Sequence, residues 1–456
     1  MRARVVPALI LMLLALGIGV PAAHAQGGFD FSRAEVSVTG LQVPWAMAFL
    51  PDGSALVSER NTGRVMRVRP GQAPAAVVTV SGVSASGESG LLGLAVSPAY
   101  AQDGWVYAYF TSTSGDNRLI RFQLSAPQTQ TVLFSGVPSA TIHDGGRIAF
   151  GPDGMLYVGT GDAGNTANAQ NLNSPAGKIL RLTPTGGVPS DNPFPGSRVW
   201  SYGHRNVQGL AWDAQGRMYA TEFGQNTWDE INQIVAGGNY GWPACEGDCG
   251  NASFRRPIVT WPTSQASPSG LAYANDTLFA AALRGQRLWT VPLSGTGTPG
   301  TPQAEFTSAY GRLRAVAAGP DGWLWVATSN RDGRGSPVAQ DDRIIRVPPA
   351  AGGNSGACAA TASVQSQWGT GYVVQPVTVT NTGTAATTGW TATFTLPAGH
   401  TVTGSWNAVL TTSGQNVTAG NTTHNGALAP GQSTTFGLQA TRPAGDTQLP
   451  AAYTCT

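Results

Sequence analysis

Few residues of this chain could do chemistry, and their types are specific. His143 stands in HDGGRIAFGPDG and is one of only five histidines, another of which, His24, lies near an apolar N-terminal run. An imidazole titrates near neutral pH and can accept a proton from a hydroxyl group. Asp162, in GTGDAG, could orient that ring if the two segments share a face. Gly145 and Gly146 would let backbone approach a bound ligand closely. Arg205 with Asn206, Arg284, Arg312 and Arg314 offer guanidinium forks, and converging forks suggest a polyanionic ligand. Arg312 and Arg314, two positions apart, point to one side of a strand. The stretch TEFGQNTWDEINQIVAGGNYGWP (221–243) combines acids, glycines and turn carbonyls, and Glu230 with nearby backbone oxygens suits calcium. The chain has no His/Cys cluster of the zinc-binding kind and no serine nucleophile elbow.

These residues lie far apart in sequence, so a scaffold must gather them. FLPDGSALVSER (49–60) is an apolar run, a tight turn and a second apolar run. The pattern returns in VSPAYAQDGWVYAYFT (96–111), FGPDGMLYVGTGD (150–162), AWDAQGRMYATEFG (211–224), AYANDTLFAAAL (272–283) and AGPDGWLWVATSN (318–330). Asp-Gly between alternating apolar residues is a strong hairpin signal. A third strand follows each copy, in GRVMRVRPG, NRLIRFQLS, GKILRLTPT, DEINQIVAG, QRLWTVPLS and DRIIRVPPA. Six such units predict an all-β fold, a six-bladed β-propeller. In each unit the start of the first strand and the end of the second share a face. Glu88, His143, Arg205, Asn206, Arg312 and Arg314 precede their turns, while Asp162, Glu222, Gly224 and Arg284 follow theirs. The repeat therefore gathers them round one axial mouth, where propellers commonly bind ligands.

Only 11% of the 456 residues are charged, the net charge is +2, and glycine (60) and proline (31) are abundant. This suits a turn-rich all-β protein and excludes coiled coil, collagen and nucleic-acid binding through bulk charge. Lys178 is the only lysine, so arginine supplies the rest of the 26 basic residues. Arg2 and Arg4, an apolar run from Val5 to Val20 and Ala23-His24-Ala25 read as a signal peptide over 1–25, with a secreted, extracellular mature chain. No other stretch is apolar for the ~18 residues of a membrane span. Cys245 and Cys249 could staple a loop, and a bridge from Cys358 to Cys455 would tie the ends of one domain.

The segments PWAMAFLPDG, GESGLLGLA, HDGGRIAFGPDG, DNPF, GHRN, DEIN, GGNYGWP and GRLR occur in this order between Pro44 and Arg314, within a resemblance that covers residues 35–348. Together they resemble the soluble pyrroloquinoline-quinone-dependent sugar dehydrogenases, and most closely the aldose sugar dehydrogenase branch. The resemblance implies a propeller catalytic domain over 26–348. It implies that His143 takes the proton of an aldose's anomeric hydroxyl while hydride passes to the quinone, giving a lactone. Asp162 matches the acidic partner of that histidine. Glu88, Arg205, Asn206, Arg284, Arg312 and Arg314 match cofactor-binding positions. Glu88 stands where the family usually has glutamine, and Arg284 falls near a position often held by lysine. The quinone carries several carboxylates, which gives the arginines a purpose. Gly224 and Gln225 match backbone oxygens that hold the cofactor's calcium, and Glu230 and Tyr240 match a further calcium-binding pair. No C-x-x-C-H haem motif is present, so electrons are expected to leave to an external acceptor.

A short linker (349–357) precedes residues 358–456, whose only charges are Arg442 and Asp446. Alternation in VTVTN and WTATFTL reads as a small β-sandwich. QWGTGY, NTG, GWTATF, GSWNAV, NTTHNG and the flanking cysteines resemble a family 2 carbohydrate-binding module. That resemblance puts Trp368 and Trp406 on a planar sugar-binding face, with His424 in place of a third tryptophan, and Trp390 in the core. The expected partners are an aldose mono- or oligosaccharide as substrate and a polysaccharide such as cellulose, xylan or chitin. Two other readings stay open: a calcium-dependent propeller hydrolase or lactonase, and a non-catalytic carbohydrate-binding adhesin.

Overall fold

The computed structural model describes residues 25–350, 358–382, 387, 389–429 and 431–455. The segment read above as a signal peptide lies outside the described residues except for Ala25, and so does most of the stretch read as a linker, at 351–357. Among the described residues, those from 35 to 347 form six four-stranded antiparallel sheets. The first runs through Pro44–Phe49, Ala55–Glu59, Arg64–Val68 and Ala75–Thr79. The third runs through Ile148–Phe150, Leu156–Gly159, Lys178–Leu182 and Val199–Tyr202. The last sheet borrows its outer strand from the other end of the chain. Glu35–Val38 pairs with Ile344–Val347, so the termini of this region are hydrogen-bonded together.

The leading strand of each sheet packs against the leading strand of the next, and Leu313–Ala318 packs back against Pro44–Phe49. The succession therefore closes on itself, as in a propeller. The hairpins fall at the Asp-Gly copies. Gly154 takes φ 73°, a left-handed conformation that costs glycine nothing, and its N–H donates to Gly151 O at 2.9 Å. In the fifth copy Asn275 and Asp276 both take positive φ (48° and 51°), the side chains that best tolerate it. Second strands such as Ala55–Glu59 and Leu324–Thr328 are buried throughout, because sheet faces cover them on both sides. That is why they read as continuous apolar runs. Each third strand occurs as expected. The fourth does not show in the sequence, since outer strands such as Ala126–Pro138 are largely exposed and carry no apolar alternation.

Residues 358–455 form two further sheets. One holds Cys358–Trp368, Gly371–Asn381, Ser433–Thr441 and Thr401–Trp406; the other holds Val409–Ser413, Asn416–Gly420, Thr391–Thr395 and Ala451–Cys455. Tyr372, Trp390, Phe394, Phe436 and Leu438 fill the space between them. The Cys358–Cys455 disulfide joins the two sheets, and Cys245–Cys249 closes a short loop. Among the described residues, no helix is long and apolar enough to cross a membrane.

Candidate active site

His143 lies just before the first strand of the third sheet, and Asp162 lies just after its second strand. The hairpin between them returns the chain to the same face. His143 Nδ1 and Asp162 Oδ1 are 2.7 Å apart, with the carboxylate fully buried and the ring 12% exposed. Asp162 also accepts from Gly164 N at 2.8 Å and from Trp242 Nε1 at 2.8 Å. Burial opposes its ionisation, but the bonds from His143, Trp242 and Gly164 outweigh it and hold its pKa below the usual carboxylate range. An ionised Asp162 accepts from Nδ1–H, which leaves Nε2 as the basic nitrogen of a neutral His143. The backbone is fixed as tightly. His143 takes φ 61°, a conformation that costs a non-glycine residue about 1–2 kcal/mol. Glu88 Oε2 accepts its N–H at 3.0 Å. Only a glycine fits at 161, because a Cβ there would lie 1.8 Å from His143 O.

Beside this pair is a pocket to which each of the six sheets of residues 35–347, or a loop beside it, contributes. Its lining includes Trp45, Arg60, Glu88, Gly145, Arg312 and Arg314. Arg314 is buried and donates to Gln208 Oε1 at 3.1 Å and Ser269 Oγ at 3.3 Å, while its Nε has no partner among the described residues. Burial pushes its pKa down to about 9. Arg147, also pushed down to about 9 by burial, sits 4.2 Å from the Trp45 ring centre, and Arg314 sits 5.8 Å from it. Arg205 donates to Phe223 O at 3.0 Å, its buried Nε is also unpartnered, and burial lowers its pKa. Asn206 donates to Glu88 Oε2 at 3.4 Å and accepts from Gly145 N at 3.0 Å. Neither Arg314 nor Arg147 has a carboxylate within hydrogen-bond reach among the described residues. Buried guanidinium charge without a counter-ion is costly, so Arg314, which lines the pocket, fits a polycarboxylate ligand.

The loop after the fourth sheet's second strand, Met218–Glu222, has a different chemistry. Glu246 Oε1 accepts from the N–H groups of Gln225, Asn226, Thr227 and Trp228, at 2.8–3.0 Å. Burial works against its ionisation, yet these amides hold its pKa below the usual range. In a trans peptide the C=O points opposite the N–H. The carbonyls of Gly224 and Gln225 are thereby turned away from Glu246 and are left as hard oxygen donors of the kind a calcium ion takes. Glu230 and Tyr240 are engaged elsewhere. Glu230 accepts from Gly247 N at 2.5 Å and Asn232 Nδ2 at 3.0 Å, and burial together with Glu222 raises its pKa to about 7. The Tyr240 hydroxyl donates to Gln233 O at 2.8 Å, and its ring stacks on His204. Among the described residues there is no group of three or more His, Cys, Asp or Glu able to hold a metal. A calcium site here would rest on backbone oxygens.

Arg284 does not join the mouth. Its side chain is exposed, and Leu283 takes the lining position beside it. Glu222 sits behind the mouth, accepting from His204 Nδ1 at 2.9 Å and from Arg205 N. Arg60, Asp332 and Arg334 line the pocket but escaped the sequence reading. Their signal was positional: they follow the second strands of the first and last sheets, as Asp162 follows that of the third. Trp242 comes from the loop between Trp228–Ile234 and Val259–Pro262 of the fourth sheet, within the GGNYGWP segment, and its role toward Asp162 was not read from the sequence. In the sandwich, Trp368 lies against Gly371 and Trp406 against Gly437, where a Cβ would meet each ring at 2.7 Å and 2.3 Å. Both pairs share one sheet, and the strand register puts them on the face opposite Phe436, Leu438 and Ala440. His424 is off that sheet, exposed in the 421–426 turn beside Thr422. Trp390 is buried and donates to Asn425 O at 2.9 Å.

A closed succession of four-stranded sheets round an arginine-lined mouth, with a His–Asp pair at its rim, defines a propeller-like fold with a proton-accepting group beside its pocket. The model of the glucose/sorbosone dehydrogenase family matches residues 41–344, and that of the cellulose-binding domain matches 358–456. The chain belongs to the glucose/sorbosone dehydrogenase family and carries a C-terminal cellulose-binding domain. It is similar to the PQQ-bound aldose sugar dehydrogenase of Streptomyces coelicolor, with 51% identity and a TM-score of 0.66 over 69% of this chain and 97% of that one. Aldose sugar dehydrogenase YliI of Escherichia coli (strain K12) is 30% identical over 66% of this chain and 91% of its own. Endoglucanase A of Thermobispora bispora is 43% identical over 22% of this chain and 21% of its own.

Proposed function

We propose that the six sheets are the blades of a six-bladed propeller and that the chain is a pyrroloquinoline-quinone-dependent aldose sugar dehydrogenase. The observation that carries this reading is the His143–Asp162 pair at 2.7 Å beside buried, unneutralised arginines. The likeness to a PQQ-bound relative supports it. Arg205, Asn206, Arg312 and Arg314 would hold the quinone's carboxylates, and the carbonyls of Gly224 and Gln225 would hold a calcium ion. Glu230 and Tyr240 would serve a second ion only by giving up present hydrogen bonds. When bound, the quinone supplies a two-electron acceptor for hydride. The protein's own part is proton chemistry. His143 Nε2 takes the proton of the anomeric hydroxyl, Asp162 fixes the ring and stabilises the imidazolium, and the sugar leaves as a lactone. Electrons pass on to an external acceptor.

On this reading residues 1–25 are a signal peptide, 26–348 the catalytic domain and 349–357 a linker. The mature protein is secreted, and 358–456 tether it to cellulose or a related polysaccharide. A lactonase or an adhesin leaves the buried guanidinium groups without a role. The test is dye reduction by apo-protein with an aldose panel, after adding quinone and calcium, with a visible spectrum during sugar titration. Absence of turnover across the panel together with absence of quinone binding would refute it.

A further inference from the structure

A loop crosses the mouth between the second strand of the last sheet, Leu324–Thr328, and its third, Ile344–Val347. Asp332 anchors it: its side chain is 2% exposed and meets Arg312 at 2.9 Å, and its carbonyl accepts from Arg60 Nη2 at 3.4 Å. Two residues on, Arg334 reaches across the rim to Glu88, with Nη1 and Oε1 3.3 Å apart. Arg334 is 60% exposed there and Glu88 19%. Glu88 divides its work between its oxygens. Oε2 serves His143 N and Asn206 Nδ2, while Oε1 has Arg334 as its partner. A single long contact to a guanidinium that is mostly in solvent is weak and exchangeable. Arg334 therefore differs from Arg312, which a buried carboxylate already neutralises.

We propose that Arg334 is a further carboxylate-binding residue of the mouth and that Glu88 is its internal competitor, so that a polycarboxylate ligand takes Arg334 from Glu88. This rests on the reading of the mouth as the quinone site. The ligand's affinity is then set by a difference, in which one guanidinium is gained and one fixed carboxylate opposes.

The experiment titrates the full chain with pyrroloquinoline quinone in calcium buffer, following tryptophan quenching. Wild type, Glu88→Gln, Arg334→Gln and the double variant are compared, with a melting curve for each. The amide oxygen introduced by Glu88→Gln still accepts from the His143 N–H, and Arg334 is exposed, so both variants preserve the packing. Arg334→Gln is expected to weaken binding about tenfold, the scale of a charge-assisted bond. Glu88→Gln is expected to tighten it several-fold, and that gain shrinks in the Arg334→Gln background. If Glu88→Gln weakens binding, Glu88 positions Arg334 rather than competing for it, and the proposal fails. It fails too if Arg334→Gln binds as wild type does. Wild type that does not bind the quinone at all overturns the reading of the site instead.

Discussion

At the mouth of the sheet ring charge is scarce but buried, with Arg147 and Arg314 held against Trp45 and Asp162 fully enclosed behind His143. In the C-terminal sandwich charge is almost absent, and the exposed sheet face carries Trp368 and Trp406 lying against glycines. Both regions are all-β with hydrophobic interiors. They differ in what they leave unsatisfied. The mouth keeps buried guanidinium groups short of counter-ions, which selects a charged ligand and aligned chemistry. The sandwich keeps flat apolar rings in water, which selects a neutral, extended surface with flat faces. Catalysis needs the first kind of frustration and adsorption the second.

Replacing His143 by Asn should sharpen the contrast most. Turnover should fall about 10²–10⁴-fold, the usual worth of a general base. Retention on cellulose should not change, and a pull-down beside a dye assay checks both. Next, Cys358→Ser with Cys455→Ser should destabilise the sandwich by about 2–5 kcal/mol, because the bridge closes a long stretch of chain. Retention after mild heating should be lost before turnover is. Loss of turnover before retention would show that the sheet ring depends on the sandwich for its stability. Trp368→Ala and Trp406→Ala should each cost about 1 kcal/mol of cellulose affinity, read from depletion isotherms, with kcat/KM unmoved.

The smallest effect is one of pH. The folded pKa of Asp162 lies below its unfolded value, so its stabilising contribution is fully present above about pH 4. That contribution is lost as pH falls through the depressed folded value. Asp162→Asn should remove this part of the acid limb in a pH-dependent unfolding curve. An acid limb identical in the variant would mean that the bonds His143, Trp242 and Gly164 make to the Asp162 carboxylate contribute nothing to stability.

Much of this was legible in the chain. Six Asp-Gly-type turns located the hairpins, and counting from them put His143 and Asp162 on one face. The same counting, carried to the first and last copies, would have reached Arg60 and the 330–335 loop. Arg284 shows where counting stops. It lies in a turn after Thr277–Ala282, where a Cβ at Gly285 would clash with Gln265 O and Gln286 takes φ 48°, and this backbone turns Leu283 inward instead. Trp242 escaped because its bond to Asp162 crosses between sheets, with 80 positions between partners.

The sequence by itself determined the three inner strands of each sheet, the turns, the cysteine pairs and the scarcity of charge, because these follow from local periodicity and composition. Only the tertiary structure decided which scarce charges face one another. Lys178 illustrates the division. As the only lysine it looked like a residue of an arginine-biased chain, yet its buried ammonium donates to Asn168 O, Ala169 O and Ala176 O at 2.6–3.0 Å. A compact ammonium with three donors suits converging carbonyls, where a planar guanidinium does not. Its three acceptors lie in the loop that leaves Asp162, which is folded back on it. No local pattern encodes such a meeting, because it depends on where the folded loop returns.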